Sequence, residues 1–157
     1  MPRKRLAHRV NYTVIVVALA VLGLDAVTKA WARHTLVRHS IHVVGALWLR
    51  LQFNSGISFS INQSGPLVTS ILTAVVVVVV VVVGLRASDG TPAVGFGFLL
   101  GGGVANLVDR VVSTPHRVTD FISVGSFPVF NLADASITTG LVVLLISVLR
   151  GERLLTR

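Results

Sequence analysis

Cysteine is absent from the chain. That excludes disulfides, thiolate metal sites and a cysteine nucleophile together, and it says nothing about compartment. Charge is nearly as scarce: 13% of the 157 residues are Asp, Glu, Lys or Arg, while 53% are hydrophobic. A soluble domain carries about 25% charged residues. A chain this short cannot cover itself with polar surface, so lipid must be part of its solvent and membrane lipid its first partner. Acids are the rarest class, 6 against 14 basic residues, giving a net charge of +8. In a soluble protein that excess would suggest nucleic acid. Here Arg3, Lys4, Arg5 and Arg9 precede the first apolar segment, and Arg150, Arg153 and Arg157 follow the last. These are flanks placed by the positive-inside rule beside anionic headgroups, and no nucleic-acid partner is expected.

What is abundant is apolar sequence, in four segments each near the roughly 20 residues that span a hydrocarbon core. They run over about 12–31, 67–85, 93–112 and 130–149, and predict an all-α membrane protein of one domain over 1–157. The second contains nine consecutive valines, Val75 to Val83, and reads as a lipid-facing wall without chemistry. The third carries Gly95, Gly97, Gly101, Gly102 and Gly103; its small-xxx-small spacing allows a neighbouring backbone to approach closely. The first resembles a signal-peptide core, but Asp25 and Lys29 fall where a cleavage site should be and Trp31 reads as an interfacial anchor, so an uncleaved span is expected.

An even number of spans with basic flanks predicts both termini in the cytoplasm and the connections 32–66 and 113–130 outside, with 86–92 a cytoplasmic turn. Arg33, Arg38, Arg50 and Arg117 then lie outside, against the rule but too few to reverse it. From Leu47 to Asn54 the outer connection alternates. Leu47, Leu49, Leu51 and Phe53 fall on one side and Trp48, Arg50, Gln52 and Asn54 on the other, which predicts a half-buried strand lying on the membrane surface. Asn54-Ser55-Gly56 ends it with turn chemistry.

The five aspartates and one glutamate are unevenly placed. Asp89 and Glu152 take solvated positions, whereas Asp25, Asp109 and Asp134 fall near the outer ends of spans and Asp120 in the outer connection. An ionisable residue in a span costs about 2.5–3.5 kcal/mol on insertion scales, so each needs a reason. Lys29, four residues after Asp25, supplies one as a neutralising brace. Asn106, Asp109 and Arg110 share a face of the third span, and Asp109 and Arg110 diverge, so each needs a partner on another element. Asp120 and Asp134 are the least locally neutralised. Were they to meet, they would share a proton as an aspartyl protease pair does. Spacing alone does not bring them together, and Asp109 stays open as an alternative. An ion pathway is disfavoured because the carboxylates gather at one membrane level. A non-catalytic tetraspan factor and a Lys29–Ser58 or Lys29–Ser60 protease are the other readings. His34, His39 and His42 lack a nearby carboxylate, so neither a metal nor another cofactor is expected.

Five segments, in order, resemble lipoprotein signal peptidase (signal peptidase II). Leu24-Asp25-Ala26-Val27-Thr28-Lys29 is similar to the family's LDxxTK, and Asn54-Ser55-Gly56-Ile57-Ser58-Phe59 to its NxGxxF. The run Gly102 to Arg110 resembles GGxxxNxxDR, Val118 to Ile122 resembles VxDFI, and Phe130 to Asp134 resembles FNxAD. Together they cover about residues 24–140. The resemblance implies an aspartyl endopeptidase of the bacterial cytoplasmic membrane, its site at the outer face. It would cut the signal peptide from diacylglyceryl-modified prolipoproteins before the lipid-bearing cysteine, acting as a monomer. It selects Asp120 and Asp134 as the catalytic pair, with Asn54, Gly56, Asn106, Arg110 and Asn131 supporting the site and Asp25, Lys29 and Asp109 as structural polar residues. It also implies an outer β-cradle and a short surface helix that hold the substrate. Ser58 stands where the family usually has Ala, and Ala105 where it usually has Gly.

Overall fold

The chain is seen in a computed structural model that describes residues 11–56, 65–113 and 116–156. Four helices, α1 (Tyr12–Thr35), α2 (Gly65–Gly84), α3 (Thr91–Val112) and α4 (Leu132–Leu149), and three strands, β1 (Ile41–Val44), β2 (Leu47–Asn54) and β3 (Val118–Val124), follow in the order α1-β1-β2-α2-α3-β3-α4. All four helices are long and apolar enough to cross a membrane. The basic residues before Asn11, Arg157, and residues 57–64 with Ser58 and Ser60 lie outside the described residues. No short surface helix occurs among the described ones.

Local chemistry sets the helix ends and moves several from the expected positions. Asn11 caps α1, its side chain accepting from the Thr13 amide at 3.0 Å while its Nδ2 donates to the Ala87 carbonyl at 3.1 Å. That cap ties the start of α1 to the α2–α3 turn. Helix α1 runs past Trp31 to Thr35, because Ala32 and Leu36 are buried against Phe121, with Leu49 and Leu51 packed around them. Pro92 sits in the first turn of α3, where its missing N–H costs nothing. Helix α4 starts at Leu132 instead of Phe130: Phe130 exchanges backbone hydrogen bonds with Ile122, and Asn131 becomes the cap.

Helix α3 is the centre of the packing, with α1 and α4 pressed closest and α2 more loosely attached. Its glycines make this possible. A Cβ on Gly101 would sit 2.8 Å from the Ala18 carbonyl of α1, and one on Gly102 2.5 Å from the Ala133 carbonyl of α4. Backbone meets backbone there, leaving no room for a side chain. Helix α2 packs chiefly on α3 and leaves Val75, Val76, Val78, Val79 and Val82 more than half exposed.

The three strands form one antiparallel sheet in the order β1-β2-β3. Strand β2 has the expected bounds, but its alternation fails beyond Leu51. A bulge between Leu49 and Gln52 shifts the register against β3, so Phe53 is exposed while Asn54 turns inward. The expectation of Phe53 on the buried side is corrected by that extra residue, which exchanges the two faces. Beyond the bulge Gln52 lies directly opposite Asp120. Strand β3 itself was legible only as part of a connection.

Candidate active site

Where α4 begins, Asn131 and Asp134 form a capping box. The Asn131 side chain accepts from the Asp134 amide at 2.9 Å, and the Asp134 carboxylate accepts from the Asn131 amide at 3.2 Å. An acid at this position also meets the positive end of the helix dipole. Asn131 is fully buried, and its Nδ2 donates to Asp120 Oδ1 at 2.6 Å and to Asn106 Oδ1 at 3.2 Å. Asn106, from α3, donates its own Nδ2 to Asp134 Oδ1 at 2.7 Å. Two side-chain amides thus link carboxylates that are 14 residues apart in sequence and stand on a strand and a helix (134 − 120).

The two carboxylates are not equivalent. Asp134 is half-buried and accepts from two N–H groups. Asp120 is completely buried, and its Oδ2 has no hydrogen-bond partner. Burial pushes its carboxyl up to about 6. The Asn54 amide opposes that shift, Asp134 reinforces it, and Asn131 and Lys29 oppose it. Asn54 faces Asp120 from β2 closely enough to favour the anion, yet closes no bond of good geometry onto Oδ2. Gly56 supports Asn54: its amide donates to Asn54 Oδ1 at 2.8 Å, and its φ of +85° needs a residue without Cβ.

Behind this pair lies a second polar layer. Lys29 is 1% exposed and touches three acceptors on two helices: Asp25 at 2.8 Å on its own helix, and Asn106 at 3.0 Å and Asp109 at 3.2 Å on α3. By holding Asn106 Oδ1 it fixes which way that amide faces, and so aims Nδ2 at Asp134. Asp25 reaches further than its expected partner, accepting from the Ala133 amide of α4 at 2.9 Å. Asp109 finds its partners off the helix, as its divergence from Arg110 required: Lys29, Arg33 at 3.6 Å and the Thr119 amide at 2.9 Å. Arg110 is buried, donates to the Asn106 carbonyl at 3.2 Å and leaves Nε without a partner; among the described residues it forms no ion pair. Sequence reasoning missed Arg33 and Thr119, which bond to each other at 2.9 Å. Arg33 stands four residues after Lys29 and was legible from that spacing; Thr119 left no signal.

An open, largely apolar groove of about 390 Å³ ends at Asp134, walled by Phe127, Phe130, Ala135 and Thr138. Among the described residues no group of three His, Asp or Glu side chains gathers to hold a metal. The arrangement offers two linked carboxylates in unlike surroundings, one of them beside an open apolar groove, which suits acid–base activation of a water.

Comparisons with known proteins agree with the motifs. A family model described as signal peptidase (SPase) II matches residues 17–150. The lipoprotein signal peptidase of Mycobacterium avium (strain 104) is 36% identical over 152 residues, covering 92% of this chain and 82% of that protein. That of Rhodococcus jostii (strain RHA1) is 33% identical over 156 residues, 96% and 79% of the two chains. Two solved structures of a bacterial membrane enzyme, determined by the in meso method, share the fold. One has a TM-score of 0.78 at 29% identity over 90% of this chain and 97% of its own, the other 0.76 at 29% over 88% of each. Sequence and fold meet in one conclusion: this chain belongs to the signal peptidase II family of membrane proteases.

Proposed function

We propose that the chain is an aspartyl endopeptidase that removes the signal peptide from diacylglyceryl-modified prolipoproteins, cutting before the lipidated cysteine, with Asp120 and Asp134 as its dyad. The observation that carries this reading is the unequal pairing of the two carboxylates. Asp134, fed by two N–H donors at a helix N-terminus, is the ionised base. Asp120, buried with an unpartnered oxygen and raised to about 6, holds the proton. Asp134 takes a proton from water as the water oxygen adds to the scissile carbonyl carbon, and Asp120 gives its proton to the carbonyl oxygen. A neutral gem-diol results. Its collapse returns one hydroxyl proton to Asp120 and passes the proton on Asp134 to the departing nitrogen as the C–N bond breaks, restoring the starting state.

Asn106 and Asn131 hold the two carboxylates in register, Lys29 aims Asn106, and the apolar groove at Asp134 suits the apolar part of a lipid-modified substrate. The whole polar cluster comes from one chain, which supports a working monomer. The enzyme sits in the bacterial cytoplasmic membrane with both termini inside and the sheet as an outer cradle. Exposed Arg86, Arg150 and Arg153 at the end away from the sheet support that orientation. The test is turnover of a lipidated precursor peptide by purified variants. Asp120→Asn and Asp134→Asn each nearly abolish cleavage with insertion intact, and the double variant is scarcely worse than either single one, because the pair acts as a unit. Near wild-type turnover by either single variant overturns the dyad.

A further inference from the structure

The part of the molecule around the sheet carries exposed charge of one sign only. Across residues 33–56 and 116–131 the cations are Arg33, Arg38, Arg50 and Arg117, joined by His34, His39, His42 and His116. The one carboxylate in these stretches is Asp120, and it is fully buried. Arg33 and Thr119 bond to the polar layer, but Arg38 and Arg50 are exposed and the proposed chemistry uses neither. Cations at this end also work against the positive-inside rule, so their presence needs a reason.

The neighbouring exposed residues supply it. Val37, Val43, Val44, Trp48 and Phe53 are each more than 40% exposed among those arginines. Arginine beside exposed tryptophan and aliphatics is the composition of the headgroup level, where the ring and the arginine stem bury and the guanidinium stays wet. The location agrees, since α1 ends at Thr35 and Arg38 follows within one turn. Two shallow concavities shape the surface. One, of about 370 Å³, is lined by Ser40, Trp48, Arg50 and Ser123. The other, of about 500 Å³, is lined by His34, Arg38 and His39. The His42 ring lies 4.5 Å from Trp48, tilted by 42°, and its Nε2 bonds the Gly45 carbonyl, so the indole, on the strand that carries Arg50, has a held neighbour. Each hollow offers a guanidinium with hydroxyl or imidazole groups near it, a donor set that matches phosphate oxygens.

We propose that this face docks onto anionic phospholipid headgroups, with Arg38 and Arg50 taking the phosphates, so that the sheet is pressed onto a negatively charged bilayer surface. The inference needs the four helices to span a membrane and does not depend on the peptidase chemistry. A surface arginine is drawn to an anionic leaflet strongly enough to enrich such lipids about fivefold at contact.

Trp31 and Trp48 are the two tryptophans of the chain, so Trp31→Phe leaves Trp48 as the reporter. The full chain is reconstituted in phosphatidylcholine vesicles holding roughly 20 mol % phosphatidylglycerol, with a spin label carried near the headgroup by one lipid or the other. Labelled phosphatidylglycerol is expected to quench Trp48 about twofold or more beyond labelled phosphatidylcholine at equal mole fraction. The preference falls to parity in about 0.5 M salt, where screening is short-ranged, and in Arg38→Gln/Arg50→Gln. A second measurement avoids the tryptophan change: the unsubstituted chain, purified from mixed vesicles, should retain phosphatidylglycerol over phosphatidylcholine, and the double variant should not. Equal quenching by both lipids, or a preference that survives loss of both arginines, overturns the proposal. So does binding of an acidic peptide that leaves Trp48 indifferent to lipid charge.

Discussion

Lys29 neutralises two carboxylates and orients an amide, so its loss should cost more than that of either acid it serves. Lys29→Met would strand Asp25 as a buried charge and leave Asp109 with only Arg33 and the Thr119 amide, a defect of about 3–5 kcal/mol, and should sharply reduce folded protein in membranes. Asp25→Asn is milder: the asparagine oxygen can still accept from Ala133, and Lys29 keeps Asp109. Folded amount should drop while specific turnover of what remains holds, as read by quantitative immunoblot against peptide cleavage. Asp120 sets the pH behaviour. The proposed mechanism requires its acid form, and burial raises its pKa to about 6, so kcat/KM should fall as pH rises through the region of that value. The limb in kcat should lie higher, since bound substrate withdraws more water. Asn54 favours the anion; Asn54→Ala should therefore move the alkaline limb of kcat/KM upward, whereas a merely structural Asn54 would lower the rate without moving it. At this scale the sequence was informative where partners are local, as with Asp25 and Lys29. It was mute where they are distant: nothing in the spacing places Asn106 against Asp134.

Between elements, the α3–α4 crossing sets the distance on which the proposed dyad depends. A methyl on Gly102 would lie 2.5 Å from the Ala133 carbonyl oxygen, one residue before Asp134, and 2.8 Å from Ile137 Cγ1; the side chain can yield but the backbone oxygen cannot. Gly102→Ala should push the start of α4 away from α3, lengthen the 2.7 Å Asn106–Asp134 bond and cost most of the activity while helix content by circular dichroism is kept. Gly23→Ala, where a Cβ meets nothing within 4 Å, should be silent. The existence of the helices was legible from apolar length alone, because lipid leaves the backbone no other way to satisfy itself. Their ends were less so. The start of α4 is decided by Phe130 pairing with Ile122, a contact made eight residues away, and β3 shows no alternation because nearly every residue from Val118 to Ser123 is covered, whether by helices or by β2.

The orientation of the whole molecule can be read with single cysteines, since the chain has none of its own. In intact cells a membrane-impermeant maleimide should label Ser126→Cys, in the exposed turn after β3, and spare Arg153→Cys until the membrane is opened. Labelling in the reverse order would place the site on the cytoplasmic face. The hydrogen bond from the Ala133 amide to Asp25 joins residues 108 apart, the first helix to the last. Synthesis runs from α1 to α4, so that bond, the cap at Asn131 and Asp134, the proposed base, all arrive with the final segment to be inserted. A chain made only as far as the end of α3 carries Asp25, Lys29 and Asp109 but neither member of the proposed dyad. On the proposed mechanism the chain therefore has no cutting site during its own biogenesis, and its first competent moment is the one at which its last helix docks.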